Sequence, residues 1–208
     1  VAEHDFETVS SETLYVGKIF ALRADEVSMP GGRTARREVV EHYGAVGIVA
    51  LDDEQNLTMV HQYRHPVGRR LWEIPAGLLD MGGEEPHLSA ARELREEAGL
   101  AAEQWRVLVD VISAAGFSDE GVRIYLATGL SRIDRPEAHD EEADLTVESI
   151  PLATAVDMVL RGDIVNSLAV AGVLAAATVL GRDGGIDALR GVDAPWQDRS
   201  TAFAARQA

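Results

Sequence analysis

The sequence predicts an α+β fold, with a small β unit (residues 1–43) ahead of a larger domain (residues 44–208). Three observations support this. Short apolar runs separated by turn residues fill much of the first half of the chain. One amphipathic helical pattern stands between Pro86 and Gly99. Two more helical patterns follow residue 150 and close the fold.

In chain order, Leu14 to Leu22 reads as a strand. Met29-Pro30-Gly31-Gly32 is a turn signal, and Arg36 to Tyr43 supplies a return strand centred on Val39 and Val40. Ala45 to Leu51 is nearly continuous in apolar residues, as expected of a strand buried on both faces. The polar run Asp52 to Asn56 is a turn, so Leu57 to Tyr63 is expected to form a hairpin with the strand before it. Leu71 to Ile74 is a short strand leading into Pro75-Ala76-Gly77. Pro86 suits the first turn of a helix, where a missing N–H costs nothing, and Gly99 suits its stop. Leu88, Ala91, Leu94 and Ala98 give that helix one apolar face. Trp105 to Ile112 and Val122 to Thr128 read as strands around a loop from Ser113 to Gly121, with Phe117 expected in the core. An acidic loop, Glu137 to Asp144, precedes a strand from Leu145 to Ile150. Helices are expected over Pro151 to Arg161 and Ile164 to Leu180, followed by an extended tail.

Composition narrows the function. The net charge of −16 repels phosphate backbones at long range and argues against nucleic acid as a main partner. The same field disfavours small anions, so a phosphate substrate would need local arginines or metal cations. With no cysteine, disulfides, thiolate zinc sites and cysteine nucleophiles are excluded, which fits a cytoplasmic location. The acidic N-terminus does not read as a signal peptide. The apolar stretch Ile164 to Leu180 is marginal in length for a membrane span and reads as a buried or dimer-facing helix. The six histidines show no metal-ligand spacing, and there is no Walker loop, nucleophile elbow or Rossmann fingerprint.

The chemistry lies in Arg92-Glu93-Leu94-Arg95-Glu96-Glu97-Ala98-Gly99-Leu100. On a helix Glu93 and Glu97 stack on one face, with Glu96 nearby. Like charges at this spacing cost a helix a few tenths of a kcal/mol. A divalent cation reverses that sign, because Mg²⁺ takes oxygen ligands from carboxylates, water and substrate phosphates. Arg92, four residues before Glu96, can hold that carboxylate.

With Gly77 and Glu84 upstream, the segment resembles the Nudix box, G-x5-E-x7-R-E-U-x-E-E-x-G-U, where U is aliphatic. Glu84 and everything after it match. Six residues, rather than five, separate Gly77 from Glu84. Beyond the box, Gln62-Tyr63-Arg64, Trp72-Glu73-Ile74-Pro75-Ala76-Gly77, Gly116-Phe117-Ser118-Asp119-Glu120, Ile164-Val165-Asn166-Ser167 and Arg36-Arg37-Glu38-Val39 resemble the ADP-ribose pyrophosphatase branch. Ala115 stands where that branch typically has proline, and a looser loop there is expected to broaden specificity.

The resemblance implies an α/β/α sandwich with a mixed sheet and metal-dependent hydrolysis of ADP-ribose to AMP and ribose 5-phosphate. Other nucleoside diphosphate derivatives (NADH, diadenosine polyphosphates, nucleotide sugars) are the alternative substrates. A sensor that binds ADP-ribose without cutting it is the alternative of another class. Carried over by position, Glu93 and Glu97 are catalytic metal ligands, Ala76 offers its backbone carbonyl, and Glu96 is a supporting residue and further ligand. The cation is expected to be Mg²⁺, with Mn²⁺ second. The acidic loop supplies the water-activating glutamate in this branch, which points to Glu142, with Glu141 second, as both base and metal ligand. Arg37 and Arg64 are expected to clamp the diphosphate, since the guanidinium fork matches phosphate oxygens. Glu120 is expected to accept ribose hydroxyls, and Glu73 completes the substrate-binding set. The branch also exchanges its N-terminal unit between subunits, which implies a homodimer.

Overall fold

The computed structural model of the chain describes residues 4–136 and 144–207. The chain divides into two compact units, Val1–Gly44 with Ile112–Gly121 and Asp198–Ala208, and Ala45–Val111 with Val122–Gln197.

The smaller unit is built on three antiparallel strands in chain order, β1 (Thr8–Val16), β2 (Phe20–Met29) and β3 (Arg33–His42). The expected strand from Leu14 to Leu22 is therefore two strands. The chain reverses at Gly17, whose N–H donates to the Phe20 carbonyl at 2.8 Å. The predicted turn at Pro30 to Gly32 does join β2 to β3. A mixed pattern hid the reversal, because all of β1 is exposed and carries no buried alternation to mark its register.

The larger unit begins with β4 (Ala45–Ala50), β5 (Asn56–Arg64), β6 (Arg69–Glu73) and β7 (Ala76–Leu78). Helix α1 (Pro86–Ala98) follows, then β8 (Leu100–Ile112), β9 (Gly121–Arg132), β10 (Thr146–Pro151), α2 (Leu152–Arg161) and α3 (Ser167–Leu180). A mixed four-stranded sheet runs β7-β4-β9-β8, with β4 antiparallel to β7 and parallel to β9. A second sheet, β10-β5-β6, is antiparallel. The expected β4–β5 hairpin is thus replaced by two sheets. Only Leu51 and Leu57 pair across the turn, because both edges of β4 are taken by β7 and β9.

Strand β4 shows why the first sheet must be covered on both sides. Val46, Ile48 and Ala50 pack with Ala90 and Leu94 of α1, while Val49 joins Ala169, Val173 and Ala176 of α3. The alternation of a strand therefore feeds two apolar clusters, and every residue of β4 is buried. The result is the expected mixed sheet between helices. Gly99 ends α1 in the left-handed region (φ 63°), and its N–H caps the Arg95 and Leu94 carbonyls. Strand β8 starts at once, earlier than the apolar pattern from Trp105 implied. Helix α3 begins at Ser167 rather than Ile164. The Asn166 side chain accepts from the Leu168 and Ala169 N–H groups at 3.0 Å and fixes the start there.

The tail beyond Gly181 is more structured than expected. It holds a 3-10 turn at Gly185–Ala188 and a short helix α4 (Ala202–Gln207). Within the smaller unit, Phe203 of α4 is fully buried and meets the Tyr43 ring edge-on at 4.6 Å. Arg206 pairs with buried Glu41, which also pairs with Arg23. The hydrogen bond from Arg206 outweighs the effect of burial and holds the Glu41 carboxyl below its ordinary pKa. Among the described residues no helix is long and apolar enough to cross a membrane.

Candidate active site

The site starts at a strand-to-helix junction. Glu93, Glu96 and Glu97 stand on α1, whose apolar face is held against β4 by Ala90 and Leu94. Glu93 and Glu97 point inward and are 9% and 6% exposed, while Glu96 is half-exposed. Burying two carboxylates is costly unless their oxygens find donors. Glu97 Oε2 accepts from the Ala76 N–H at 3.0 Å, which ties α1 to the start of β7. Glu93 lies directly on Gly77. A Cβ there would fall 2.0 Å from Glu93 Cδ, so only glycine leaves room for the carboxylate.

Arg92 gathers the remaining acids. It donates to Glu93 Oε1 at 2.6 Å, to Glu96 Oε2 at 2.9 Å, and to both Glu84 oxygens at 3.2 and 3.3 Å. Burial opposes its charge, yet the Glu84 hydrogen bonds and the Glu93 charge outweigh it, so the guanidinium pKa rises above its already high value. Arg92 is thus a fixed cation that screens the repulsion among the glutamates.

Among the described residues, no three Asp, Glu or His side chains converge as a ready-made metal cage. The donors that are present are carboxylate and backbone oxygens, without thiolates or imidazoles. That set fits a hard divalent cation that keeps several waters and takes its last ligands from a phosphate group. Glu93 and Glu97 could supply such carboxylate oxygens, with Ala76 beside them.

Arg64 and Glu73 face each other within the second sheet. Arg64 Nε donates to Glu73 Oε1 at 2.9 Å and its terminal nitrogen to Oε2 at 2.7 Å, while Gln62 also donates to Glu73. Glu73 is only 2% exposed, whereas the Arg64 side chain is 39% exposed. The Glu73 carboxylate thus holds Arg64 in a fixed orientation. This pairing depends on the β5–β6 register, which puts the two side chains on one face of the sheet.

Arg37 and Glu120 belong to the smaller unit. Arg37 is exposed on β3, and among the described residues no carboxylate lies within ion-pair distance of it. Glu120 is bound by Ser113 Oγ and lies 3.3 Å from His42 Nδ1. These two partners were not foreseen. The Ser113–Glu120 pairing closes the ends of a loop that was visible in the sequence, but nothing local pointed to His42. Phe117 is 59% exposed rather than buried, because its carbonyl accepts from Val40 and the turn closed by the Ala114 carbonyl carries its ring outward. Glu141 and Glu142 lie outside the described residues.

Comparison with known proteins agrees with this geometry. Residues 41–162 match the NUDIX domain and residues 6–40 the nucleoside diphosphate sugar hydrolase N-terminal domain. The chain is 64% identical over 208 residues to an ADP-ribose pyrophosphatase of Mycobacterium tuberculosis, covering 100% of this chain and 99% of that one. It is 36% identical over 167 residues to a methanol dehydrogenase activator of Bacillus methanolicus, covering 80% of this chain and 90% of that one. A crystal structure of an ADP compounds hydrolase shares the fold, with a TM-score of 0.74 and 21% identity over 89% of this chain and 100% of that one. Members of the family generally need divalent metal ions. With its box on α1 and a family match across more than half its length, the chain belongs to the Nudix hydrolases.

Proposed function

We propose that this protein hydrolyses the diphosphate of ADP-ribose, adding water across the P–O–P bond to give AMP and ribose 5-phosphate. The observation that carries the reading is the buried Glu93–Glu97 pair set against Ala76 and Gly77, in a chain 64% identical to an ADP-ribose pyrophosphatase. The expected cation is Mg²⁺, with Mn²⁺ second; Glu93 and Glu97 would hold it, with the Ala76 carbonyl, Glu96 and Glu142 as further ligands. When bound, it would neutralise charge building on the diphosphate oxygens.

The protein's own groups do the rest. Arg64, oriented by Glu73, offers its exposed edge to a phosphate oxygen, and Arg37 supplies a second fork. Glu120 accepts hydrogen bonds from ribose hydroxyls. Glu142, with Glu141 second, takes the proton from the attacking water. This choice rests on the acidic segment being where the ADP-ribose branch carries its base.

Purified protein with Mg²⁺ should cleave ADP-ribose faster than NADH, diadenosine polyphosphates or sugar nucleotides, and a chelator should abolish turnover until Mg²⁺ or Mn²⁺ is returned. Preference for another compound overturns the substrate assignment. Tight binding of ADP-ribose without cleavage would favour the sensor reading. Arg64→Ala is expected to raise KM for ADP-ribose about tenfold to a hundredfold, as loss of a charge-assisted bidentate contact should. Glu73→Gln should give a smaller rise in the same direction, because it loosens Arg64 without removing it.

The homodimer is part of the same proposal. Its support lies in β1 and the turn after it, where Val9, Leu14, Tyr15, Val16, Ile19 and Phe20 are exposed apolar residues. Apolar side chains left this exposed on one strand and the turn after it suit an interface between copies. Sedimentation should give twice the chain mass at micromolar concentration, and a monomer there would refute it.

A further inference from the structure

The C-terminal segment closes on the loop that carries Glu120. Ser200 Oγ donates to the Asp119 carbonyl at 2.7 Å and accepts from the Gly121 N–H at 2.8 Å. One hydroxyl therefore grips the peptide groups on both sides of Glu120. The fit leaves no slack, since a Cβ on Gly121 would lie 2.1 Å from the Asp198 carbonyl oxygen. The same loop is bound to β3 by the Asp119 carboxylate, which accepts from the His42 N–H at 2.8 Å, and by Val40 N–H to the Phe117 carbonyl at 2.7 Å. Ser200 is itself 8% exposed, and the segment behind it is anchored by buried Phe203 and by the Arg206–Glu41 pair.

We infer that Ser200 is a positioning residue for Glu120, and that the C-terminal segment acts as a strap setting the affinity for the ribose-bearing substrate. The inference rests on the reading of Glu120 as the acceptor of ribose hydroxyls. The physical argument is one of orientation. One Glu120 oxygen accepts from Ser113 Oγ and the other lies 3.3 Å from His42 Nδ1, so a remaining lone pair meets a substrate hydroxyl only in one backbone placement. Ser200 fixes that placement by spending its donor and its acceptor on consecutive peptides. A cavity of about 330 Å³ bordered by Ala115, Asp119 and residues 198–202 lies beside this contact.

The test is a cycle of Ser200→Ala, Glu120→Gln and the double variant in the full chain, with KM and kcat for ADP-ribose measured at saturating Mg²⁺. Amide hydrogen exchange at Gly121 and thermal melting are read alongside. Ser200→Ala should raise KM about fivefold to tenfold with kcat within about twofold, and should speed Gly121 exchange. The double variant should have the KM of Glu120→Gln alone, because the hydroxyl acts only through Glu120. If Glu120→Gln raises KM while Ser200→Ala does not, the strap inference is wrong and the role of Glu120 stands. If the two effects multiply in full, Ser200 acts by another route and the inference is also wrong. If Glu120→Gln leaves KM unchanged, the ribose reading fails and the inference goes with it. Faster Gly121 exchange separates a local change from global unfolding, which melting would show.

Discussion

Glu93→Gln should lower kcat for ADP-ribose by about 10²–10³-fold, the usual scale for removing one charged group that stabilises a transition state. Gln has nearly the same shape and keeps an oxygen for Arg92, so the side chain still fits over Gly77 and the fold should persist. What is lost is one negative charge beside Glu97. Calorimetry should then show weaker divalent-cation uptake in the presence of a nonhydrolysable pyrophosphate compound. Glu97→Gln should behave similarly, but with some loss of stability, since the Ala76 N–H would trade a carboxylate for a neutral acceptor. Unchanged turnover in Glu93→Gln would contradict the proposed role of the pair.

The second large effect is expected at Gly77. Gly77→Ala places a methyl group 2.0 Å from Glu93 Cδ, far inside contact distance. Either β7 retreats or Glu93 swings away, and both separate the carboxylates from the Ala76 backbone. Overpacking of this kind costs about 1–3 kcal/mol, and turnover should fall about as far as in Glu93→Gln. Truncating the opposing side chain relieves the clash, so Gly77→Ala with Glu93→Ala should be more stable than the sum of the single losses. Denaturant melts of the four proteins measure that coupling. Additive losses would mean that the Glu93–Gly77 contact is not the constraint described here.

The two variants probe different kinds of information. Glu93, Glu96 and Glu97 on one helix were legible because helical spacing is local. Four residues make about one turn, Pro86 and Gly99 mark the ends, and the repulsion among the acids calls for a cation. The match of the box to the Nudix pattern rested on the same run. The approach of Glu93 to Gly77 was not visible until β7 and α1 were in place.

Long-range pairing was harder to read. The β4–β5 hairpin looked secure from the polar turn between them, yet β4 pairs with β9, far along the chain. An apolar run reports that both faces are buried, not which strands lie at its edges. Likewise β1 carries no buried face, so the reversal at Gly17 had no alternation to reveal it. The tail seemed extended because its Gly, Asp and Arg residues have no period, whereas Phe203 and Arg206 are held by Tyr43 and Glu41, distant in sequence.

By itself the sequence determined the α+β class, the helix that carries the glutamates, the family and the reaction class, because each follows from residue type at short spacing. Tertiary structure alone decided which partner each charge meets. It made Glu73 the anchor of Arg64, set Arg92 among three carboxylates, and brought Ser200 onto both flanks of Glu120. Hydrogen bonds and ion pairs act over a few ångströms, so their pattern exists only once strands and termini remote along the chain have been brought together.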